Sequence, residues 1–243
     1  MKIPVLLPLA ILGIAIFGIS AGCNAEQQGA ADKLPPKFVQ ALNAGKAQHL
    51  VVYGTSLTKG SAKHVGGPWV IAFKDALDAR YPNLVTLTNA AKGGTSSAWG
   101  LKNIDSVIAA KPDAVFIEFA INDAVVRYAQ SVESTRENVE GMITKIKAAL
   151  PDCEIILQLM HQAAGEKSPR EKQDEQQQVY RDLAQKHGLL LIDNATPWKE
   201  FIAKNGLDAF LKFAPDGVHM KLEGIKAVTL PNILKTLQIE AAK

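Results

Sequence analysis

The chain has 243 residues, 47% hydrophobic and 21% charged, ordinary globular values that exclude a wholly disordered, collagen-like or coiled-coil protein. Lys and Arg number 27 against 24 Asp and Glu, and the resulting +3 is spread without a basic cluster, so there is no nucleic-acid footprint. Two cysteines cannot build a disulfide scaffold.

Lys2 is followed by an uncharged run, Ile3–Ile19, and the first acidic residue is Glu26. A short positive start, an apolar stretch and small residues after it describe a secretory signal over residues 1–25. Ser20-Ala21-Gly22-Cys23 resembles a bacterial lipobox, which makes Cys23 the candidate lipidation site; Ser20 stands where that pattern usually has Leu. Cleavage after Ala25 as an ordinary signal is the alternative, as is retention as an anchor, since Ile3–Ala25 is just long enough to span a bilayer. The expectation is export to the cell envelope, as a periplasmic protein or a membrane-tethered lipoprotein. Glu26–Pro36 is polar and ends in Pro-Pro, so residues 26–45 read as a tether and 46–243 as one folded domain. Cys153 opens an apolar run and reads as a small buried hydrophobe rather than a reactive thiol.

Strands and helices then alternate. His49–Tyr53 is a β-branched run ending at Gly54. Pro68 starts a helix with Trp69, Val70, Phe73 and Leu77 on one side. Leu84–Thr88 is a second strand, and Ser97–Ala110 a helix carrying Leu101, Ile104, Val107 and Ile108. Ala114–Phe119 is apolar except for Glu118, as in a central parallel strand. Ser134-x-x-Glu137 reads as a capping box for a helix with Val139, Met142, Ile143, Ile146 and Leu150 on one face. Glu154–Leu159 is a fourth strand. Ser168-Pro169 with Glu171 starts a helix that buries Tyr180, Leu183 and Ala184 and ends at Gly188. Leu189–Ile192 is a fifth strand, and the last helix, Leu222 to Leu237, is kinked or split by Pro231. This alternation implies a parallel sheet with helices on both faces and a ligand crevice at the carboxyl ends of the strands.

Four short motifs fall at that edge. Gly54-Thr55-Ser56-Leu57-Thr58 follows the first strand; a serine there can present its hydroxyl, though taken alone the motif is read first as a helix-capping serine. Asn89–Ser96 contains Gly93-Gly94, whose backbone can approach a ligand or simply make a turn. Ala120-Ile121-Asn122-Asp123 ends the third strand, with Asn122 able to donate to an oxyanion or to close an Asx turn. Asp216-Gly217-Val218-His219 places a carboxylate within reach of an imidazole, or caps a helix beside an unrelated surface histidine.

Together and in this order the motifs resemble the SGNH hydrolase family, the GDSL-type esterases and lipases. Ser56, Gly94, Asn122 and His219 match its four name-giving residues and Asp216 its acid, over about residues 48 to 230. The resemblance implies a flavodoxin-like three-layer α/β/α sandwich with a five-stranded parallel sheet. It also implies a serine esterase with Ser56, Asp216 and His219 as triad and the backbone of Ser56 and Gly94 with the Asn122 side chain as oxyanion hole, needing no metal or cofactor. Two departures stand out: Gly-Thr-Ser replaces Gly-Asp-Ser, and Ala120 replaces the glycine of G-x-N-D. Asp123 is expected to brace the first loop, and His161, following the fourth strand, to line the pocket or sit exposed in a loop. His64 is a lesser candidate for the pocket entrance. Trp99 and Trp69 could stack on a sugar, with core packing favoured for Trp69. Glu118 is expected as a buried partner of the loop network, the alternative being a carboxyl of raised pKa. His49 and His187 read as structural.

The function expected is hydrolysis of short acyl or acetyl esters, small-molecule or glycan-linked, by a monomer that binds no nucleic acid. One alternative is a non-catalytic, glycan-binding surface lipoprotein of the same fold. Another is a metal-dependent phosphoesterase built on Asp123, His161, Asp216 and His219, which no familiar ligand spacing supports.

Overall fold

Five short runs rich in β-branched residues form the strands β1 (Gln48–Gly54), β2 (Val85–Asn89), β3 (Ala114–Glu118), β4 (Glu154–Leu159) and β5 (Leu190–Asp193). In the computed structural model, which describes Met1 and residues 34–60, 66–164 and 170–240, they make one all-parallel sheet in the order β2-β1-β3-β4-β5. Residues 2–25 of the N-terminal signal with Cys23, residues 26–33 of the tether, His64 and the Ser168-Pro169 pair lie outside the described residues.

Side chains alternate across the sheet. Leu50, Val52, Phe116 and Ile156 face one layer, and Val51, Tyr53, Val115, Ile117, Ile155 and Leu157 the other. The first layer holds α1 (Lys37–Asn43) and α3 (Pro68–Arg80), and later α9 (Ala195–Asn205), α10 (Leu207–Phe213) and α12 (Leu230–Leu237); Phe38, Trp69, Phe73, Trp198, Phe210 and Ile233 fill it. The second holds α5 (Asp105–Ala109), α7 (Val132–Ala149) and α8 (Gln173–His187), which contribute Val107, Val139, Met142, Ile146, Tyr180 and Leu183. The large buried aromatics also satisfy their polar ends. Tyr53 donates to the Gly100 carbonyl at 2.8 Å, and Trp198 to the Thr229 hydroxyl at 2.9 Å. The flavodoxin-like sandwich is thus as expected. Among the described residues no helix is long and apolar enough to cross a membrane.

Four differences from the sequence reading have local causes. The folded unit begins at Pro35, not at residue 46. α1 buries Phe38, Val39 and Leu42, and the Glu154 carboxylate takes up the N–H groups of Lys37 and Phe38 at 3.0 Å each. The expected helix Ser97–Ala110 is two, α4 (Ser97–Asn103) and α5, broken at Ile104; there the side chains of Asn103 and Ser106 bond the carbonyls of Trp99 and Asn103. The cap of α7 is Ser131, whose hydroxyl accepts from Ser134 N–H at 3.0 Å, so Ser134-x-x-Glu137 lies inside the helix. α8 starts at Gln173, several residues after Ser168.

The last helical stretch is interrupted ahead of Pro231. After a single turn, α11 (Leu222–Gly224), the backbone widens to a π turn over Ile225–Thr229, with α12 and Pro231 following. Cys153 is half-buried, and burial pushes its thiol up to about 12, away from reactivity.

Candidate active site

β1 is flanked by β2 on one side and β3 on the other, so the chain leaves β1 and β3 toward opposite faces and opens a crevice at their carboxyl ends. All four motifs meet there. The short helix α2 (Ser56–Lys59) follows β1 directly, and its cap is Thr55, whose Oγ1 accepts from Leu57 N–H at 3.3 Å. Ser56 therefore does not cap the helix. It occupies the first helical position, where the backbone N–H has no partner within the helix, and its Oγ lies 2.9 Å from His219 Nε2.

His219 Nδ1 is 2.7 Å from Asp216 Oδ2. The other oxygen, Oδ1, accepts the N–H groups of Val218 and His219 at 2.9 and 2.7 Å. Partial burial pushes the Asp216 carboxyl up, but the hydrogen bonds from the His219 ring and from the two N–H groups outweigh it and hold it down at about 2. The turn that presents the pair depends on Gly217, which has φ +75°. A Cβ there would sit 1.6 Å from the Ala164 carbonyl oxygen, while Ala164 N–H donates to the Gly217 carbonyl at 3.0 Å. The side chains of Asp216 and His219 are about half exposed, so the site opens to solvent.

Asn122 is on the turn α6 (Ala120–Asp123) and is buried. One N–H of its amide goes to the Thr95 carbonyl at 2.8 Å, which fixes the side chain and leaves the second N–H for the cavity. Ser56, Gly94, Asn122, Asp216 and His219 all line one cavity of about 410 Å³. Gly93 belongs to the same wall, where a Cβ would approach Ser56 Cβ to 3.4 Å. Arg127 and Arg170, which sequence reasoning missed, line it too.

Glu118 lies behind the nucleophile turn. It accepts from Thr55 N–H at 3.2 Å and from the hydroxyls of Thr55 and Thr58 at 3.0 and 2.9 Å. Burial pushes its carboxyl up to about 7 against those bonds. Thr55, the departure from Gly-Asp-Ser, is thus the hydroxyl partner of a carboxylate supplied by β3. Gly54 is required beside it, since a Cβ would meet the Glu118 carbonyl at 2.5 Å.

Three expectations are corrected. Asp123 braces not the first loop but the start of α4, its Oδ1 accepting Ser97 N–H at 2.7 Å; burial pushes its carboxyl up to about 7. His161 does not line the cavity. It is fully buried against Trp198 and Phe210, and its Nε2 donates to the carbonyl of Val218, next to His219, at 2.8 Å. That bond requires the Nε2–H tautomer, and burial lowers the ring to about 4, so it is neutral. With Asp123 and His161 so engaged, no metal-binding group of three or more His, Cys, Asp or Glu forms among the described residues. Trp99 packs on Tyr53 and Phe119 rather than lining the cavity, and Trp69 is core. His187 bonds Glu140 and His49 bonds Thr88, both outside the cavity.

A model of the GDSL-like lipase/acylhydrolase family matches residues 52–227, which include every one of these motifs. The chain belongs to that family. This GDSL-like protein is accordingly a hydrolase acting on ester bonds. No curated protein sequence matches it. Among solved structures it is similar to Axe2, an acetylxylan esterase from Geobacillus stearothermophilus, at 23% identity and TM-score 0.68 over 81% of this chain and 96% of that one. It is also similar to LAE5, an alpha/beta hydrolase enzyme from the metagenome of Lake Arreo, at 21% identity and TM-score 0.67 over 80% and 97%. At these identities the likeness is one of fold.

Proposed function

We propose that this hydrolase cleaves short acyl or acetyl esters, small-molecule or glycan-linked, with Ser56 as nucleophile, His219 as general base and Asp216 as its partner. The single observation that carries the reading is the unbroken hydrogen-bond chain from Ser56 Oγ to His219 Nε2 and from His219 Nδ1 to Asp216, at 2.9 and 2.7 Å, on the wall of a cavity. His219 takes the Ser56 proton as Oγ attacks the carbonyl carbon. Asp216, held near 2, stays ionised across the working range, fixes the Nδ1–H tautomer and stabilises the imidazolium without accepting its proton. The oxyanion falls to the N–H groups of Ser56 and Gly94 and to the second N–H of Asn122, each worth about 3 kcal/mol of barrier. His219 then protonates the leaving alcohol, and water, activated the same way, releases the acyl group.

Serine, aspartate and histidine variants of the Geobacillus esterase are described as catalytic mutants, its aspartate and histidine three positions apart as Asp216 and His219 are here. That parallel supports the assignment. The cavity of about 410 Å³ favours a short acyl group, and the half-exposed histidine leaves room for the rest of a glycan outside. The uncharged Ile3–Ile19 run and Cys23 support placement in the cell envelope, which cell fractionation and mass spectrometry of the mature N-terminus test.

Hydrolysis of p-nitrophenyl esters from acetate to octanoate, with Ser56→Ala beside the parent, tests the assignment. Rates that fall with chain length and vanish in Ser56→Ala are expected. Turnover that survives in Ser56→Ala overturns the mechanism, and no turnover on any ester points to a binding protein of the same fold.

A further inference from the structure

The cavity wall also carries two cations, Arg127 and Arg170, to which the triad and the oxyanion hole give no task. Arg127 comes from the 3-10 turn Val126–Tyr128. Its guanidinium lies 4.9 Å from the Tyr128 ring centre, and Nη2 donates to the Tyr128 hydroxyl at 2.9 Å. That hydroxyl is 3.6 Å from where a Cβ of Gly94 would stand, so the turn brings Arg127 to the Gly94 side of the site.

Arg170 arrives from the other direction. It pairs with Val125 in a two-residue antiparallel bridge, and Glu171 N–H donates to the Ala124 carbonyl at 2.9 Å. Its Nε donates to the Ile121 carbonyl at 3.0 Å, one residue before Asn122. Arg170 is therefore half-buried and anchored beside the Asn122 turn. Burial and the charge of Arg127 both lower its proton affinity, whereas Asp216 raises it.

Of the described residues that line the cavity, Asp216 is the only acid, and it is engaged with His219. Arg127 has no carboxylate within ion-pair distance among the described residues. Such cations favour the developing oxyanion of any ester, and a substrate that carries its own carboxylate gains an ion pair as well. Guanidinium groups, here one exposed (Arg127) and one half-buried (Arg170), are matched by a planar oxyanion, which they grip through paired N–H donors.

We infer that the substrate ester bears a carboxylate near the scissile bond, as in an acylated acidic sugar or the half-ester of a diacid, and that Arg127 and Arg170 bind it. This deepens the esterase reading and rests on it. A charge-assisted pair of this kind discriminates about tenfold or more over a neutral isostere.

The test uses two isosteric pairs: 4-acetoxybenzoate against 4-acetoxybenzamide, and the phenyl half-ester of succinate against its amide. The first puts the carboxylate on the leaving alcohol, the second on the acyl group. Each kcat/KM is divided by the rate of the same ester in hydroxide. In at least one pair the carboxylate is expected to be preferred about tenfold or more, with the preference shrinking as salt rises from about 20 mM to about 0.5 M. Arg127→Gln should bring the ratio close to one, and Arg127→Lys should restore part of it. Ratios near one in both pairs in an active enzyme, or a preference that Arg127→Gln leaves intact, overturn the inference while the esterase reading stands. Should no ester turn over, the esterase reading falls, and binding of 4-acetoxybenzoate to Ser56→Ala, followed by NMR, decides the anion site separately. Salt-sensitive binding lost in Arg127→Gln supports it, and binding indifferent to Arg127, or none, overturns it.

Discussion

Replacing Glu118 by Gln should make the protein's stability less sensitive to pH in one direction and one window. Glu118 is buried behind the nucleophile turn, and burial raises its carboxyl from 4.5 to about 7. Between those values the folded protein holds a proton that the unfolded chain has released. Stability from this group is therefore full below about 4.5 and declines as pH rises toward and past 7. A tenfold change in proton affinity is worth about 1.4 kcal/mol, so the decline amounts to about 3 kcal/mol by about pH 8. His161, lowered to about 4 by burial, acts in the opposite sense between about 4 and 6.5, and Asp123 in the same sense as Glu118. The quantity that isolates Glu118 is thus the difference between Glu118→Gln and the parent. Gln keeps an acceptor for Thr55 N–H and the Thr58 hydroxyl, and Thr58 still receives Trp69 Nε1–H at 3.3 Å. Urea unfolding at about pH 5 and about pH 8 should show the variant gaining about 3 kcal/mol on the parent across that interval. A difference that is constant with pH refutes the claim that Glu118 is a proton-retaining buried acid.

Further predictions concern the cavity and its supports. Asp216→Asn removes the carboxylate that holds the His219 tautomer and should lower kcat about 10⁴-fold with the fold intact, measured on p-nitrophenyl acetate beside circular dichroism. Asn122→Ala removes one oxyanion donor and should cost about 10²–10³ in kcat with a much smaller change in KM. His161→Phe keeps the packing on Trp198 and Phe210 but leaves the buried Val218 carbonyl without its donor. It should cost about 1–3 kcal/mol of stability and lower kcat by loosening the His219 turn, while His161→Gln recovers part of both. Unchanged kcat in His161→Phe would remove this residue from the support of the site.

What the sequence disclosed and what it hid follow from where each signal is stored. The strands are local runs of β-branched residues, and the motifs at their ends are contiguous, so Ser56, Gly94, Asn122, Asp216 and His219 could be gathered before any coordinates. α1 escaped because its stripe is only seven residues long and its cap is Glu154, 116 to 117 positions away. α4 is likewise started by Asp123, 26 positions distant from Ser97, so no local pattern ties that carboxylate to its partner. The helices α9 and α10 carry Trp198, Phe201 and Phe210, which pack on one another and on His161 only once the chain has folded back over β4 and β5. Arg127 and Arg170 left no pattern at all. They are 43 positions apart in sequence and meet in one cavity through the Val125–Arg170 bridge.

If Ser56 is an activated nucleophile, a covalent serine reagent should find it. The protein is treated with a p-nitrophenyl phosphonate, and the modified peptide is located by mass spectrometry beside Asp216→Asn and His219→Ala. One phosphonyl group per chain on Ser56, loss of ester hydrolysis in proportion to labelling, and slow or absent labelling in the two variants are expected. Labelling at another residue, or full esterase activity in protein whose Ser56 is already modified, would contradict it.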